Sequence, residues 1–377
     1  MANTTNSFES RLCKPAIEAI SNQLFPGDKV LKRIRQTAAF IILLAIGVYP
    51  SVPQSAALQD FLSLKLELSQ AQIAAIRNGQ PYATNLEPRT PAEIFVVGVI
   101  YINAAPESYV RFAGDFNRLR QIPGYLAIQK FNDPPQLSDL QGFGFGSEDI
   151  QGLKDCKPGK CVVQLPASTI EDLRKSVNWS APNVDDQVNQ YLQKLALTRL
   201  TEYQKVGNRI LGAVYNDKRE QVNIADQFKY MLSYAKALPQ QLPDFYNYLL
   251  SYPEGKPANV DSYFYWDNVK FGLKPTLRIV QVLIMHGETP QQPAYAIAEK
   301  QLYSSHYFET ALDLTFCIRG GDNPKGTGFY LVKAMGSEQA GLTGLEGSMV
   351  RHVAVSHSVN DLQKSLASIK SFLEQKQ

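Results

Sequence analysis

Tryptophan, cysteine, methionine and histidine are all scarce in this chain of 377 residues, which has two Trp, four Cys, five Met and four His. Four cysteines are too few for a disulfide-rich scaffold. The histidines have no third ligand at metal-site spacing, so we predict no metal site. The signatures of P-loop, dinucleotide-binding, serine hydrolase and zinc peptidase sites are missing as well, and we predict no cofactor.

The chain also has no marked excess of charge. Its 38 Lys and Arg residues nearly balance its 35 Asp and Glu residues, which leaves a formal net charge of +3. A dedicated nucleic-acid binder carries a basic patch or stripe, so we expect no nucleic-acid partner. With 44% hydrophobic and 19% charged residues, the chain is not intrinsically disordered and can bury a large core.

The N-terminal part carries the pattern of a secretory signal peptide. Basic residues between Lys29 and Arg35 precede an apolar run at 37–49, and small residues follow at 55–57. This order predicts export to the periplasm or the exterior, with cleavage before Leu58. The apolar run is shorter than the roughly 20 residues of a spanning helix. A retained membrane anchor through residues 37–49 remains the second interpretation, and a buried core helix the third.

Two cysteines flank a Pro-Gly turn. The segment Cys156-Lys-Pro-Gly-Lys-Cys161 brings two thiols to either side of a reversal of the chain, close enough for a disulfide. The spacing is wider than that of a zinc knuckle or a redox motif. We therefore predict a structural disulfide between Cys156 and Cys161, which agrees with an oxidising compartment. Two free thiols in a surface loop are the alternative.

The rest of the chain predicts an α+β fold in three parts. Residues 1–57 form the basic segment with the signal peptide or anchor, 58–91 an N-terminal helical segment, and 92–377 the main domain. Within the main domain a mostly helical stretch occupies about 136–258. Short β-branched and aromatic runs separated by turn signals predict an antiparallel sheet: Ile94–Ile102, Leu126–Phe131, Tyr263–Phe271, Thr276–Met285, Ala294–Tyr303, Tyr307–Ile318 and Gly328–Met335. A closing amphipathic helix from Ser358 has an apolar stripe of Leu362, Leu366, Ile369 and Leu373.

This order of elements resembles the START-like superfamily, which includes the Bet v 1-related proteins. The likeness is strongest at Val96–Val110, where a strand runs into Ala-Ala-Pro-Glu at the start of a helix, and in the closing helix after Val353. Segments such as Trp179–Pro182 and Ser305–Phe308 also resemble a group of uncharacterised exported bacterial proteins. The resemblance implies a helix-grip fold, in which a curved antiparallel sheet grips a long C-terminal helix. It also implies an apolar cavity between the sheet and that helix, here with a helical insertion at about 136–258.

The candidate ligand contacts in the strand pattern are Lys300, Ser304, His306 and Phe308. In an alternating strand, Ser304, His306 and Phe308 share one face. A histidine there would meet the polar end of a ligand, whereas the alternative is a hydrogen-bonded core or edge histidine. Lys300 would hold a carboxylate or phosphate head group if it faces a cavity, and would protect the strand if it faces solvent. The stripe Leu362, Leu366, Ile369 and Leu373 would form the opposite wall of the cavity.

These observations lead to three predicted functions. The first is an exported binder or carrier of an apolar small molecule or lipid. The second is an enzyme that uses the same cavity, with His306 as acid or base and a Tyr or Ser as its partner. The third is an interaction module whose helical stretch docks a partner protein, marked by an exposed apolar patch over 185–250.

Overall fold

The structure, a computed structural model, describes residues 66, 68–212, 214–217, 221–233, 238–271, 274–320, 328–339, 341–342 and 344–375. The predictions for residues 1–57, which concern the signal peptide, the anchor and the cleavage site, lie outside these residues.

The described elements alternate between strands and helices in an α+β order. The strands are β1 Tyr82–Asn85, β2 Glu93–Ile102, β3 Tyr125–Lys130, β4 Val214–Tyr215, β5 Val222–Asn223, β6 Val260–Phe271, β7 Lys274–His286, β8 Tyr295–Ser304, β9 Phe308–Arg319 and β10 Phe329–Gln339. The α-helices are α1 Gln70–Arg77, α2 Pro106–Ala113, α3 Phe116–Leu119, α4 Ser147–Leu153, α5 Ala167–Ser176, α6 Val184–Val206, α7 Ile224–Leu232, α8 Leu238–Gln241, α9 Pro243–Ser251 and α10 Gly344–Gln375. Short 3-10 helices lie at Leu137–Leu140 and Gly207–Gly212.

Eight strands form one curved, open antiparallel sheet in the order β1-β2-β10-β9-β8-β7-β6-β3. The strands from β6 to β10 pair with their neighbours in chain order, as their turn-separated sequence runs predict. The first long strand, β2, pairs with the last, β10, so the two ends of the domain meet inside the sheet. The α+β class, the antiparallel sheet and the long closing helix are therefore confirmed.

The inner face of the sheet is the face that packs against α10. Side chains of β2 alternate toward the helix, and the predicted stripe Leu362, Leu366, Ile369 and Leu373 is buried against them. The helix approaches β2 most closely at Gly98. A Cβ atom on Gly98 would lie 2.7 Å from Leu366 Cδ1 and 2.9 Å from Leu362. Glycine thus makes room for the helix at this point of the strand.

The outer face of the sheet carries the helical stretch between β3 and β6. Outward side chains of the strands, such as Leu277, Ile279 and Leu283, share one hydrophobic core with helices α4 to α9. The longest of these helices, α6, ends at Gly207, which has φ 64°. At the other edge, α1 covers outward residues of β2 and β10. Both faces of the sheet are therefore buried, which explains why β2 is apolar along almost its whole length.

Two segments differ from the sequence prediction. The segment 58–91, predicted as helical, contains β1, which pairs with β2 at the edge of the sheet. The closing helix begins at Gly344 rather than at Ser358. The sequence did not predict the first turns of this helix. These turns carry exposed apolar residues, including Met349, Val350 and Val353, and no amphipathic stripe.

Candidate functional site

An apolar cavity lies between α6 and the outer face of β7 and β8. Its volume is about 150 Å3. Its walls are the residues Phe143, Phe145, Leu165, Pro166, Thr169, Leu192, Leu195, Ala196, Arg199, Leu200, Tyr203, Ile210, Leu211, Tyr215, Ile224, Leu277, Ile279, Leu302 and Tyr303. We expected a cavity on the other face, between the sheet and the closing helix. This cavity is therefore on the opposite side of the sheet from the one that the sequence indicated.

Two regular periodicities build the walls of the cavity. On α6, Leu192, Ala196, Leu200 and Tyr203 recur every three or four residues and turn toward the sheet. On β7, Leu277 and Ile279 are two residues apart and point back at the helix. Part of this α6 stripe packs against the sheet, and part of it lines the cavity.

The cavity reaches solvent along one side of α6. Leu195 and Ile210 are partly exposed, and Arg199 is exposed. Arg199 forms an ion pair with Glu202, with 3.2 Å between Nη1 and Oε2. Both side chains of this pair are about half exposed. Arg199 is the one charged residue among the described residues that line the cavity.

A buried polar cluster closes the cavity behind Tyr203. The Tyr203 hydroxyl donates to Gln281 Oε1 at 2.7 Å and accepts a hydrogen bond from Lys300 Nζ at 3.1 Å. The same ammonium group bonds to Asn208 Oδ1 and lies 3.8 Å from the centre of the Phe228 ring. Lys300 has neither of its two predicted roles, which were to bind a head group in a cavity or to protect the strand from the solvent side. Its side chain is buried, and it joins the sheet to α6, instead of reaching a cavity or solvent.

Burial decides the protonation of this cluster. No carboxylate among the described residues forms an ion pair with Lys300, so burial lowers its pKa well below the usual lysine value. Burial also raises the pKa of Tyr203 well above the ordinary tyrosine value. The neutral Tyr203 hydroxyl and the Lys300 amine, which is less basic than an ordinary lysine, therefore lie just behind the apolar walls of the cavity.

His306 lies in the turn between β8 and β9 and not in a strand. Because Ser304 ends β8 and Phe308 begins β9, the predicted alternation of these residues does not extend through His306. Tyr307 in the turn has φ 61°, in the left-handed region. The Ser304 hydroxyl donates to the carbonyl of His306, and the Phe308 carbonyl accepts from Gln164.

The hydroxyl next to His306 is that of Ser305, which is 2.8 Å from His306 Nδ1. Ser305 Oγ also accepts a hydrogen bond from the backbone N–H of Leu277 at 2.9 Å. On the other side of the ring, His306 Nε2 is 3.3 Å from Asp149 Oδ1. Burial opposes ionisation of Asp149, but the nearby His306 and Lys274 outweigh it and lower its pKa, and Lys274 Nζ donates a hydrogen bond to Asp149 Oδ1 at 3.0 Å. Ser305 and His306 are both buried, and neither lines the cavity, so this cluster holds the turn in place.

A second group of titratable side chains lies on the inner face of the sheet. Glu299 of β8 is paired with Asp313 of β9, and the Tyr265 hydroxyl donates to Glu299 at 3.2 Å. On β10, Lys333 Nζ donates to the Tyr109 hydroxyl at 3.2 Å. Burial and the adjacent Glu299 raise the pKa of Asp313 to about 7. The sequence prediction missed this group, although Glu299 and Asp313 are visible as charges inside strand patterns.

The predicted disulfide is present. Cys156 and Cys161 are bonded across the Pro-Gly turn, with 4.5 Å between their Cα atoms. Cys317 is a free, buried thiol on the inner face, where it packs as a small core residue.

No protein-family model matches the chain, and no curated protein is similar to it. Within the described ranges, no group of His, Cys, Asp and Glu is arranged to hold a metal ion. No helix in the part of the chain that the structure describes is long and apolar enough to cross a membrane.

Proposed function

We propose that the protein binds and carries a small apolar molecule in the cavity between α6 and the sheet. The observation that carries this proposal is an apolar space of about 150 Å3 with an opening beside Arg199. An apolar cavity of that size accepts a molecule such as benzene. Burying six CH2-sized groups contributes about 5 kcal/mol before ordering costs. The volume favours a ring-sized molecule over a long acyl chain.

A cavity-filling variant tests this proposal. Ala196→Leu adds three carbons to a buried position in the wall, and we expect it to fold and to lose most of its affinity for benzene or indole. Thr198→Leu, at an exposed position on the same helix, is the matched control and should bind like the wild type. Calorimetric titration measures both. Benzene and indole failing to bind the folded wild-type protein would end the proposal.

We further propose that the domain is a helix-grip fold into which residues of about 136–258 are inserted. The strand order, the pairing of β2 with β10 and the long helix α10 on the inner face support this assignment. The insertion then supplies one whole wall of the cavity. The ligand site would be created by the insertion, on the face opposite the closing helix.

Export remains our proposal for the location of the protein. The basic and apolar pattern before residue 58 supports it, and so does the disulfide between Cys156 and Cys161. Cell fractionation with N-terminal sequencing tests it. A product that starts at Leu58 in the periplasm or medium, or an uncleaved product held by residues 37–49 in the membrane fraction, agrees with export. A full-length cytosolic product contradicts it.

Neither candidate acid–base group of the enzyme prediction lines the cavity. His306, the candidate from the sequence, is held by Ser305 and Asp149 in a buried turn. Asp313, whose pKa is raised to about 7 by burial and by Glu299, lies on the inner face of the sheet, opposite the cavity.

The interaction-module prediction has less support. It required an exposed apolar patch on the helical stretch, and the described residues of 185–250 expose two large hydrophobic side chains, Val206 and Tyr230.

A further inference from the structure

The polar side chains in the cavity walls are those of Thr169, Arg199, Tyr203, Tyr215 and Tyr303. The Tyr203 hydroxyl group already donates a hydrogen bond to Gln281 and accepts one from Lys300, so it is not available to a ligand. Tyr303 contributes its ring, and its hydroxyl oxygen is enclosed by protein. The part of a ligand that meets Tyr203 and Tyr303 must therefore be apolar.

The open end has a different character, because Arg199 lies there. Its present partner, Glu202, is one helical turn away and is bound through a single contact of 3.2 Å between exposed groups. Such exposed pairs contribute little to stability, so a competing anion displaces Glu202 easily. The guanidinium group has five N–H donors, and it matches a carboxylate through two parallel hydrogen bonds.

We propose that the natural ligand is a small amphipathic carboxylic acid, with a ring or a chain of about six carbons inside the cavity and its carboxylate on Arg199. This inference rests on the proposed function, since it names the class of molecule that the same cavity takes. The apolar walls supply most of the affinity, and Arg199 selects an acid over a neutral molecule of the same shape.

A pair of probes separates the two proposals. The probes are 3-phenylpropanoate and 3-phenylpropanol, which share a ring and a linker and differ in charge. We expect the wild-type protein at neutral pH and low salt to bind the acid about fivefold more tightly than the alcohol, the size expected for one exposed charge pair. Raising the salt concentration should reduce this preference and leave the affinity for the alcohol unchanged.

Three variants test whether Arg199 causes the preference for the acid over the alcohol. Arg199→Gln should reduce the affinity for the acid to that for the alcohol. Glu202→Gln, which removes the competing carboxylate, should raise the affinity for the acid. Arg209→Gln is the matched control, since Arg209 is also exposed and ion-paired, with Glu254 at 3.3 Å, but does not line the cavity. It should keep the wild-type preference.

The outcomes are distinct. Equal binding of both probes to the wild-type protein, or a preference that survives Arg199→Gln, would overturn the carboxylic-acid inference and leave the apolar-binder proposal standing. If neither probe nor benzene binds the folded protein, both proposals fail together.

Discussion

Glu299 and Asp313 lie directly opposite each other on the neighbouring strands β8 and β9, with both carboxyl groups on the inner face of the sheet. Side chains in such a pair have Cβ atoms about 5 Å apart, and like charges in this position destabilise a sheet. Lys333 is close enough to lower the pKa of Asp313, but burial and Glu299 outweigh it and raise that pKa to about 7. The folded protein therefore holds a proton on this pair at pH values where the unfolded chain has lost it.

The contribution of Asp313 to the stability of the protein should accordingly fall as the pH rises from about 4 to about 7. Below this window both states carry the proton on Asp313, and within it the unfolded state releases the proton first, which favours unfolding. Asp313→Asn cannot ionise, so it should be more stable than the wild type at pH 8, by about 2 kcal/mol after allowance for its partial exposure. Urea unfolding at pH 5 and pH 8 measures the difference. Asp172→Asn, at an exposed position on α5, should show no such gain.

The disulfide between Cys156 and Cys161 should stabilise the domain through the short loop that it closes. With five residues of separation, the loop-entropy relation gives a contribution of about 2 kcal/mol. We expect the Cys156→Ser, Cys161→Ser double variant to unfold at a correspondingly lower urea concentration. The wild-type protein in reducing agent should then match it. Equal stability of the oxidised wild type and the double variant would contradict the prediction.

The sheet and the closing helix were predictable because their side chains repeat with regular periods. Alternating apolar residues marked β6 to β10, and the spacing of Leu362, Leu366 and Ile369 marked α10. The face on which the cavity lies could not be predicted in this way. Strand β2 is buried on both faces, so its sequence does not say which face meets α10 and which meets a neighbouring layer. Which face of β2 meets α10 depends on contacts between residues far apart in the chain.

His306 shows a second limit of local patterns. The predicted strands end at Tyr303 and restart at Tyr307, whereas the predicted shared face of Ser304, His306 and Phe308 requires a continuous strand. The chain nevertheless reverses at Ser305–Tyr307, without glycine or proline, through a left-handed conformation at Tyr307. Non-glycine residues adopt that conformation uncommonly. Here Lys274 donates its backbone N–H to the Tyr307 hydroxyl, which is a tertiary contact that no local pattern contains.

Lys300 should make the protein less stable as the pH falls. Burial lowers its pKa in the folded state, so the unfolded chain takes up a proton first as the pH drops, and stability is lost toward the lowered value. We expect the free energy of unfolding of the wild type to rise relative to Lys300→Met, which has no charge, as the pH increases toward the ordinary lysine pKa of about 10.4. Lys300→Arg keeps its charge throughout this range and should be less stable than Lys300→Met at every pH. Parallel unfolding curves for the wild type and Lys300→Met would contradict the assignment.

Gly98 should be essential for the packing of α10 on β2. A methyl group there would lie within 3 Å of Leu362 and Leu366, the first two leucines of the helix stripe. Overpacking of this kind costs about 1–3 kcal/mol, so Gly98→Ala should destabilise the domain and Gly98→Val should do so more strongly. Gly124→Ala is the control, because the corresponding Cβ position has no atom within 4 Å. Because the ligand cavity lies on the other face of the sheet, the folded fraction of Gly98→Ala should still bind benzene with wild-type affinity. Loss of binding in that folded fraction would show that the inner face and the cavity depend on each other.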